Sequence, residues 1–75
     1  MITIEDLERA VLISTEDEFE RQLLILSRIT AVDLKSYRKV LTIIDEAKES
    51  LPDIEWVQYR ICRLRDAAVE GYAYR

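Results

Sequence analysis

Few residues in this chain have side chains that could perform catalysis or hold a metal ion, and the acidic residues form the densest cluster. Glu16, Asp17, Glu18 and Glu20 lie within five consecutive positions, and clustered carboxylates can in principle bind a divalent cation. Carboxylates also gather in the first turn of a helix, because the N-terminal end of the helix dipole attracts negative charge. Asp17 can in addition pair with Arg21 one turn later. We therefore interpret the cluster as a helix start and predict no metal site.

Other catalytic groups and cofactor-binding motifs are scarce. The sequence contains no histidine, one cysteine and one glycine. Without histidine, a Ser-His-Asp or Cys-His arrangement is impossible, and the commonest transition-metal ligand is missing. The lone Cys62 does not supply a zinc site or an internal disulfide, and one glycine does not supply a phosphate-binding loop. We therefore expect a protein that is not an enzyme and that uses no cofactor.

Residues 56–66, with the sequence WVQYRICRLRD, combine aromatic and basic side chains in an acidic chain. On a helix with about 100° per residue, Arg65 falls on one flank of the apolar face, and the other members of the group fall on the opposite flank. Tryptophan, tyrosine and arginine are the residues most enriched among binding hot spots. The candidate partner-binding residues are therefore Trp56, Tyr59, Arg60 and Arg63.

The same aromatic and basic residues also have a structural interpretation. Trp56 could pack against its own protein with the stem of Arg60 across its ring, as a cation–π pair. Arg63 could pair with Asp66 or Glu70 on the same helix face. The sequence leaves the structural and the partner-binding interpretations open.

DNA binding is the alternative function. A short turn around residues 30–32 could join two helices into a helix-turn-helix, whose recognition residues would be Lys35, Arg38, Lys39 and Thr42. Three carboxylates share that exposed face: Asp45, Glu46 and Glu49. The turn has no glycine, and the chain carries a net charge of −4, which does not attract a phosphate backbone. Nucleic acid is therefore the less favoured partner.

The elements that must position these residues are predicted to be helices. The chain has 75 residues, which is enough for one small domain, 1–75, and 49% of them are hydrophobic, which argues against disorder. One glycine and one proline provide too few turns for an all-β protein. We predict an all-α fold, a small compact bundle of four helices at about 4–13, 16–29, 33–49 and 54–70, with the first helix short.

Helix-start signals set these boundaries. Thr3, either Ser14 or Thr15, Asp33 and Asp53 are the predicted N-caps, and Gly71 is the predicted C-cap. A break near residue 14 is favoured because the apolar stripe of the first helix would otherwise continue at polar positions. The alternative is a bundle of three helices in which 4–29 is continuous.

The second helix is apolar on every side at residues 23–26, LLIL, which indicates a helix that faces two neighbours. One neighbour could be another subunit, with Leu24, Ile25 and Ile29 as the possible oligomer contact.

No stretch is long and apolar enough for a membrane span, the N-terminus lacks the basic start of a signal peptide, and the lone cysteine suits a reducing compartment. We therefore expect no membrane association and a cytoplasmic location.

The sequence as a whole predicts a protein–protein interaction module. Its partner would be another protein or a second copy of the chain, as in a homodimer. Small acidic chains of this kind are common among bacterial and phage regulators and inhibitors, which is an expectation from size and not a resemblance to any family.

Overall fold

The fold consists of four α-helices joined by short connections. The computed structural model describes residues 2–74, so the domain predicted for 1–75 extends one residue beyond the described part at each end. The helices are α1 (Ile4–Leu12), α2 (Glu16–Thr30), α3 (Leu34–Ser50) and α4 (Glu55–Ala73), and residues 2–74 contain no strand. The predicted all-α bundle of four helices is confirmed. None of these helices combines the length and the apolar character that crossing a membrane requires.

The break between α1 and α2 is a reciprocal capping arrangement at Thr15. The hydroxyl of Thr15 accepts a hydrogen bond from the backbone N–H of Glu18 at 3.2 Å, and the Glu18 carboxylate accepts one from the backbone N–H of Thr15 at 2.8 Å. Ser14 instead donates its hydroxyl to the carbonyl of Ala10 in the preceding turn. Because Thr15 has extended backbone and starts a new helix, the alternative of one helix over 4–29 is wrong.

Two of the other three predicted N-caps are also confirmed. Thr3 and Asp6 form a second capping box at the start of α1, and the Asp33 carboxylate accepts a hydrogen bond from a backbone N–H of α3. The prediction that Asp53 caps α4 is wrong. The chain stays extended through Ile54, which is the N-cap residue and makes no side-chain cap hydrogen bond.

The core contains buried side chains from all four helices, and α4 packs most extensively on α2. These side chains are Leu7, Val11, Phe19, Leu26, Val40, Ile44, Ala47, Leu51, Val57, Ile61, Leu64 and Ala68. Leu34 and Ile54 are large apolar residues beside this core but are exposed. Leu34 is the first residue of α3 and Ile54 precedes α4, so both lie at the edge of the helix packing.

The end of α4 differs from the prediction because of Gly71. The predicted helix stops at residue 70, whereas α4 continues to Ala73, and Gly71 does not adopt a positive φ. A Cβ atom at Gly71 would lie 2.6 Å from the Cα of Ser27 and would also overlap the Ser27 carbonyl oxygen and the Thr30 hydroxyl. The glycine is therefore required for the close approach of α2 and α4, and it is not a C-cap.

Contacts between α3 and α4 hold the second half of α4 in place. The rings of Tyr37 and Tyr72 stack with centroids 4.5 Å apart and planes 8° from parallel. Nearer the middle of α4, Arg65 donates a hydrogen bond to Asp45 at 2.8 Å. The aromatic contact places Tyr72, which follows Gly71, against α3.

Candidate functional site

Arg60, a predicted partner-binding residue, contacts the C-terminal end of α1. Its Nη1 donates hydrogen bonds to the carbonyl oxygens of Ala10 at 3.3 Å, Val11 at 2.9 Å and Ser14 at 3.0 Å. The last carbonyls of a helix have no partner within the helix and carry the negative end of its dipole. The Arg60 side chain, which is only 16% exposed, therefore stabilises the end of α1 from a neighbouring helix.

Arg60 and Arg63 also contact the start of α2. The Arg60 guanidinium lies 4.6 Å from the centroid of the Phe19 ring, so the predicted ring partner, Trp56, is replaced by a core aromatic residue. Arg63 donates hydrogen bonds to the carboxylates of Glu16, at 3.2 Å, and Glu20, instead of the predicted Asp66 or Glu70. The hydrogen bond to Glu20 is the main reason that the pKa of Arg63 is raised above its ordinary value. Both guanidinium groups therefore bind their own protein.

The aromatic members of the same stripe remain in solvent. Trp56 is 50% exposed and Tyr59 is 62% exposed, and the neighbouring Ile54 is exposed as well. The Arg63 guanidinium lies 5.8 Å from the centroid of the Tyr59 ring, which borders the partly buried arginine pair. We call Ile54, Trp56 and Tyr59 the aromatic patch. The structure thus separates the predicted stripe into a partly buried arginine part, paired within the protein, and an exposed aromatic part.

A second candidate surface is an open groove of about 610 Å³ between α1 and α2, named the α1–α2 groove. Its apolar lining consists of Ile2, Ala10, Ile13, Ile25 and Ile29. Ile25 and Ile29 are two of the three predicted oligomer-contact residues, and Ile25 is 40% exposed. The third, Leu24, is 51% exposed but does not line the groove, because it lies about 100° around α2 from Ile25.

Charged residues of both signs border the α1–α2 groove: Asp6, Arg9, Glu18 and Arg21. Both carboxylates belong to capping boxes. Hydrogen bonds from the backbone N–H groups of Thr3 and Thr15 are the main reason that the pKa values of Asp6 and Glu18 lie below their ordinary values. The acidic side chains are therefore fixed by the helix starts, whereas Arg9 is 63% exposed and 3.7 Å from Asp6.

Ile13 is the most exposed apolar residue of the groove and was not among the predicted contact residues. It was placed in the last turn of the first helix, yet it follows the end of α1 and is 74% exposed. The signal in the sequence is the run AVLI at residues 10–13, which is apolar on all sides of a helix. One core-facing stripe does not use four consecutive apolar residues, so one of them is left at the surface.

The predicted DNA-binding residues share one exposed face of α3. Lys35, Arg38, Lys39 and Thr42 all lie on that face, and the Thr42 hydroxyl donates a hydrogen bond to the Arg38 carbonyl at 3.0 Å. The C-terminal half of the same face is acidic, and its Asp45 carboxylate is paired with Arg65. A phosphate backbone along the whole face would meet both attraction and repulsion.

Comparison with protein families, with curated proteins and with solved structures finds no match for this chain. Within residues 2–74, no group of three or more His, Cys, Asp or Glu side chains is placed to hold a metal ion. Cys62 is an exposed free thiol on α4. The aromatic patch and the α1–α2 groove each bring several apolar side chains together at the surface, and we take them as the candidate sites.

Proposed function

We propose that this chain is a non-enzymatic protein–protein interaction module. It acts as a small regulator or inhibitor of the bacterial or phage type, by binding a larger protein or by self-association. The cytoplasm is the proposed location, because the exposed thiol of Cys62 is compatible with a reducing compartment. The proposal is supported by apolar side chains that remain at the surface although every helix already contributes to the core.

The observation that carries the proposal is the division of the helix α4 stripe. Arg60 is anchored by carbonyl oxygens of α1, yet Trp56, one turn earlier on the same helix, is half exposed. An anchored helix presents its aromatic side chains with little conformational freedom to lose on binding. Such rigid aromatic residues are characteristic of binding hot spots. We assign the aromatic patch to a larger protein, with Arg60 and Arg63 as its supporting residues.

Partner capture followed by direct affinity measurement tests this proposal. The tagged full chain is used to isolate partners from the native host, and each partner is then purified and titrated by calorimetry. Replacing Trp56 and Tyr59 together with alanine should weaken binding by about 30-fold or more, which corresponds to about 2 kcal/mol for a hot spot. Circular dichroism should show unchanged helicity, because both side chains are exposed.

Tyr74→Ala is the matched control, since Tyr74 is an exposed aromatic residue just beyond the opposite end of α4. Its binding should equal that of the unaltered chain. Equal affinities for the control and for the Trp56 and Tyr59 double variant would contradict the assignment of the aromatic patch. The proposed function would be contradicted by two results together: no binding partner is isolated from the native host, and the purified chain is a monomer.

A further inference from the structure

We infer that the α1–α2 groove is occupied by a second copy of this chain, in a homodimer with twofold symmetry. This inference rests on the proposed function and assigns one partner to one of its two surfaces. The aromatic patch lies at the start of α4 and remains the surface for a different protein. The groove is therefore argued from its own shape and charge.

The α1–α2 groove combines an exposed apolar residue with an open recess. Ile13 lines the groove and is the most exposed large aliphatic side chain described, and the rest of the apolar lining includes the small, buried Ala10. A twofold interface brings the same surface of both copies together, so a projection and a recess on one face can fill each other. The groove volume of about 610 Å³ gives room for the projecting Ile13 of a second copy and its neighbours.

The charge around the groove is also self-complementary. Two carboxylates, Asp6 and Glu18, and two guanidinium groups, Arg9 and Arg21, cancel at the groove border. The net charge of −4 therefore belongs entirely to the rest of the chain, where two copies repel each other. The carboxylates are held by their capping boxes, and Arg9 is 63% exposed and 3.7 Å from Asp6 of its own chain, so a second copy would meet fixed negative groups beside exposed positive ones.

The area of this face sets the expected strength of the dimer. A standard interface buries about 800 Å² on each partner, about one sixth of this chain's 5011 Å² of accessible surface. The groove with its charged border supplies only the centre of such an interface, and the surface around it supplies the rest. We therefore expect an association in the micromolar range, at the weak end of specific interfaces.

Analytical ultracentrifugation of the purified full chain tests the inference. Sedimentation equilibrium from about 5 to about 500 μM should show the mass rising from the monomer value of 8.8 kDa to twice that value, as expected for a micromolar dimer. Ile25→Glu places a carboxylate in the apolar centre and should raise the dissociation constant by about 100-fold or more. Ile13→Glu should have the same effect, and its exposed position keeps the variant folded.

Leu24→Glu is the matched control for Ile25→Glu. It makes the same substitution at the adjacent residue of the same helix, but Leu24 lies outside the groove lining, and the dimer should be retained. A monomer at every concentration overturns the inference and leaves the partner-capture test of the aromatic patch unaffected. The inference is also overturned if Leu24→Glu weakens the dimer as much as Ile25→Glu and Ile13→Glu do. The dimer interface would then not be the groove.

Discussion

Replacing Arg60 with alanine is expected to destabilise the fold strongly, although the residue is an arginine on a predicted binding stripe. The substitution removes the donor that Val11 and Ser14 share at 2.9 and 3.0 Å, together with the longer hydrogen bond to Ala10. It also removes a cation from above the Phe19 ring. The end of α1 then loses these polar contacts with α4, while its apolar packing in the core remains.

The magnitude follows from the two shorter hydrogen bonds. A hydrogen bond to a charged group contributes about 1.5–3 kcal/mol, and a cation–π contact adds about 0.5–1 kcal/mol. Water reaches part of the emptied site, because the carbonyls are only partly buried. We therefore expect the free energy of unfolding to fall by about 3 kcal/mol, a large share of the roughly 4–11 kcal/mol that a chain of this length has available.

Thermal and urea denaturation of three variants provide the assay. In a domain of this size about 1 kcal/mol shifts Tm by roughly 4–8 °C, so Arg60→Ala should lower Tm by roughly 12–24 °C. Arg65→Ala removes an arginine from the same helix, but Arg65 and Asp45 are 50% and 58% exposed, and the cost should stay below about 1 kcal/mol. Arg60→Met keeps an apolar stem of similar length and removes the guanidinium with both its hydrogen bonds and its cation–π contact.

The reasoning is refuted if Arg60→Met is as stable as the unaltered chain. That result would mean that water satisfies the α1 carbonyls as well as the guanidinium does. Equal destabilisation by Arg60→Ala and Arg65→Ala would refute it too, because burial and carbonyl contacts would then have no measurable effect.

Three further predictions concern α4, the capping boxes and the alternative function. Gly71→Ala should lower Tm, because overlap with the α2 backbone costs about 3 kcal/mol whereas helix propensity returns only about 1 kcal/mol; a higher Tm would mean that the helices separate easily. Since capping hydrogen bonds lower the folded-state pKa of Glu18, its stabilising contribution is present above the unfolded-state pKa and disappears as the pH falls through the folded-state pKa. When the pH is lowered from roughly 5 to 2, the free energy of unfolding should therefore fall less for Glu18→Gln than for the unaltered chain, as measured by urea denaturation. Equal falls would mean that the capping hydrogen bonds of Glu18 do not cause the pH dependence. Arg38→Ala should leave partner affinity unchanged; duplex DNA binding that falls steeply with salt and depends on Arg38 would instead establish the helix-turn-helix alternative.

The helix starts could be predicted because their signals are local. Thr3, Thr15 and Asp33 each receive a hydrogen bond from a backbone N–H only three residues away. Such contacts form whatever the rest of the chain does, so residue types and spacing are sufficient to locate them. The incorrect N-cap, Asp53, follows Pro52, where the chain stays extended for one residue more than the pattern indicates.

The end of α4 could not be predicted from neighbouring residues. A glycine after an apolar stripe usually indicates a helix end, and this rule led to the incorrect boundary at residue 70. Gly71 is instead explained by Ser27 and Thr30, which are distant in sequence and adjacent in the fold. Only the packing of α4 on α2 shows that the position excludes a Cβ atom.

The sequence by itself determined the class of fold, the number of helices, most of their boundaries and the apolar faces of α2 and α4. These properties depend on contacts between residues three or four positions apart. The tertiary structure decided what each residue on the flanks of those faces does. Arg60 and Trp56 lie one turn apart on the same flank, yet one binds α1 and the other is half exposed. The difference arises because the end of α1 and the start of α2 meet α4 at Arg60 and Arg63, and only the placement of those helices determines which flank residues are covered.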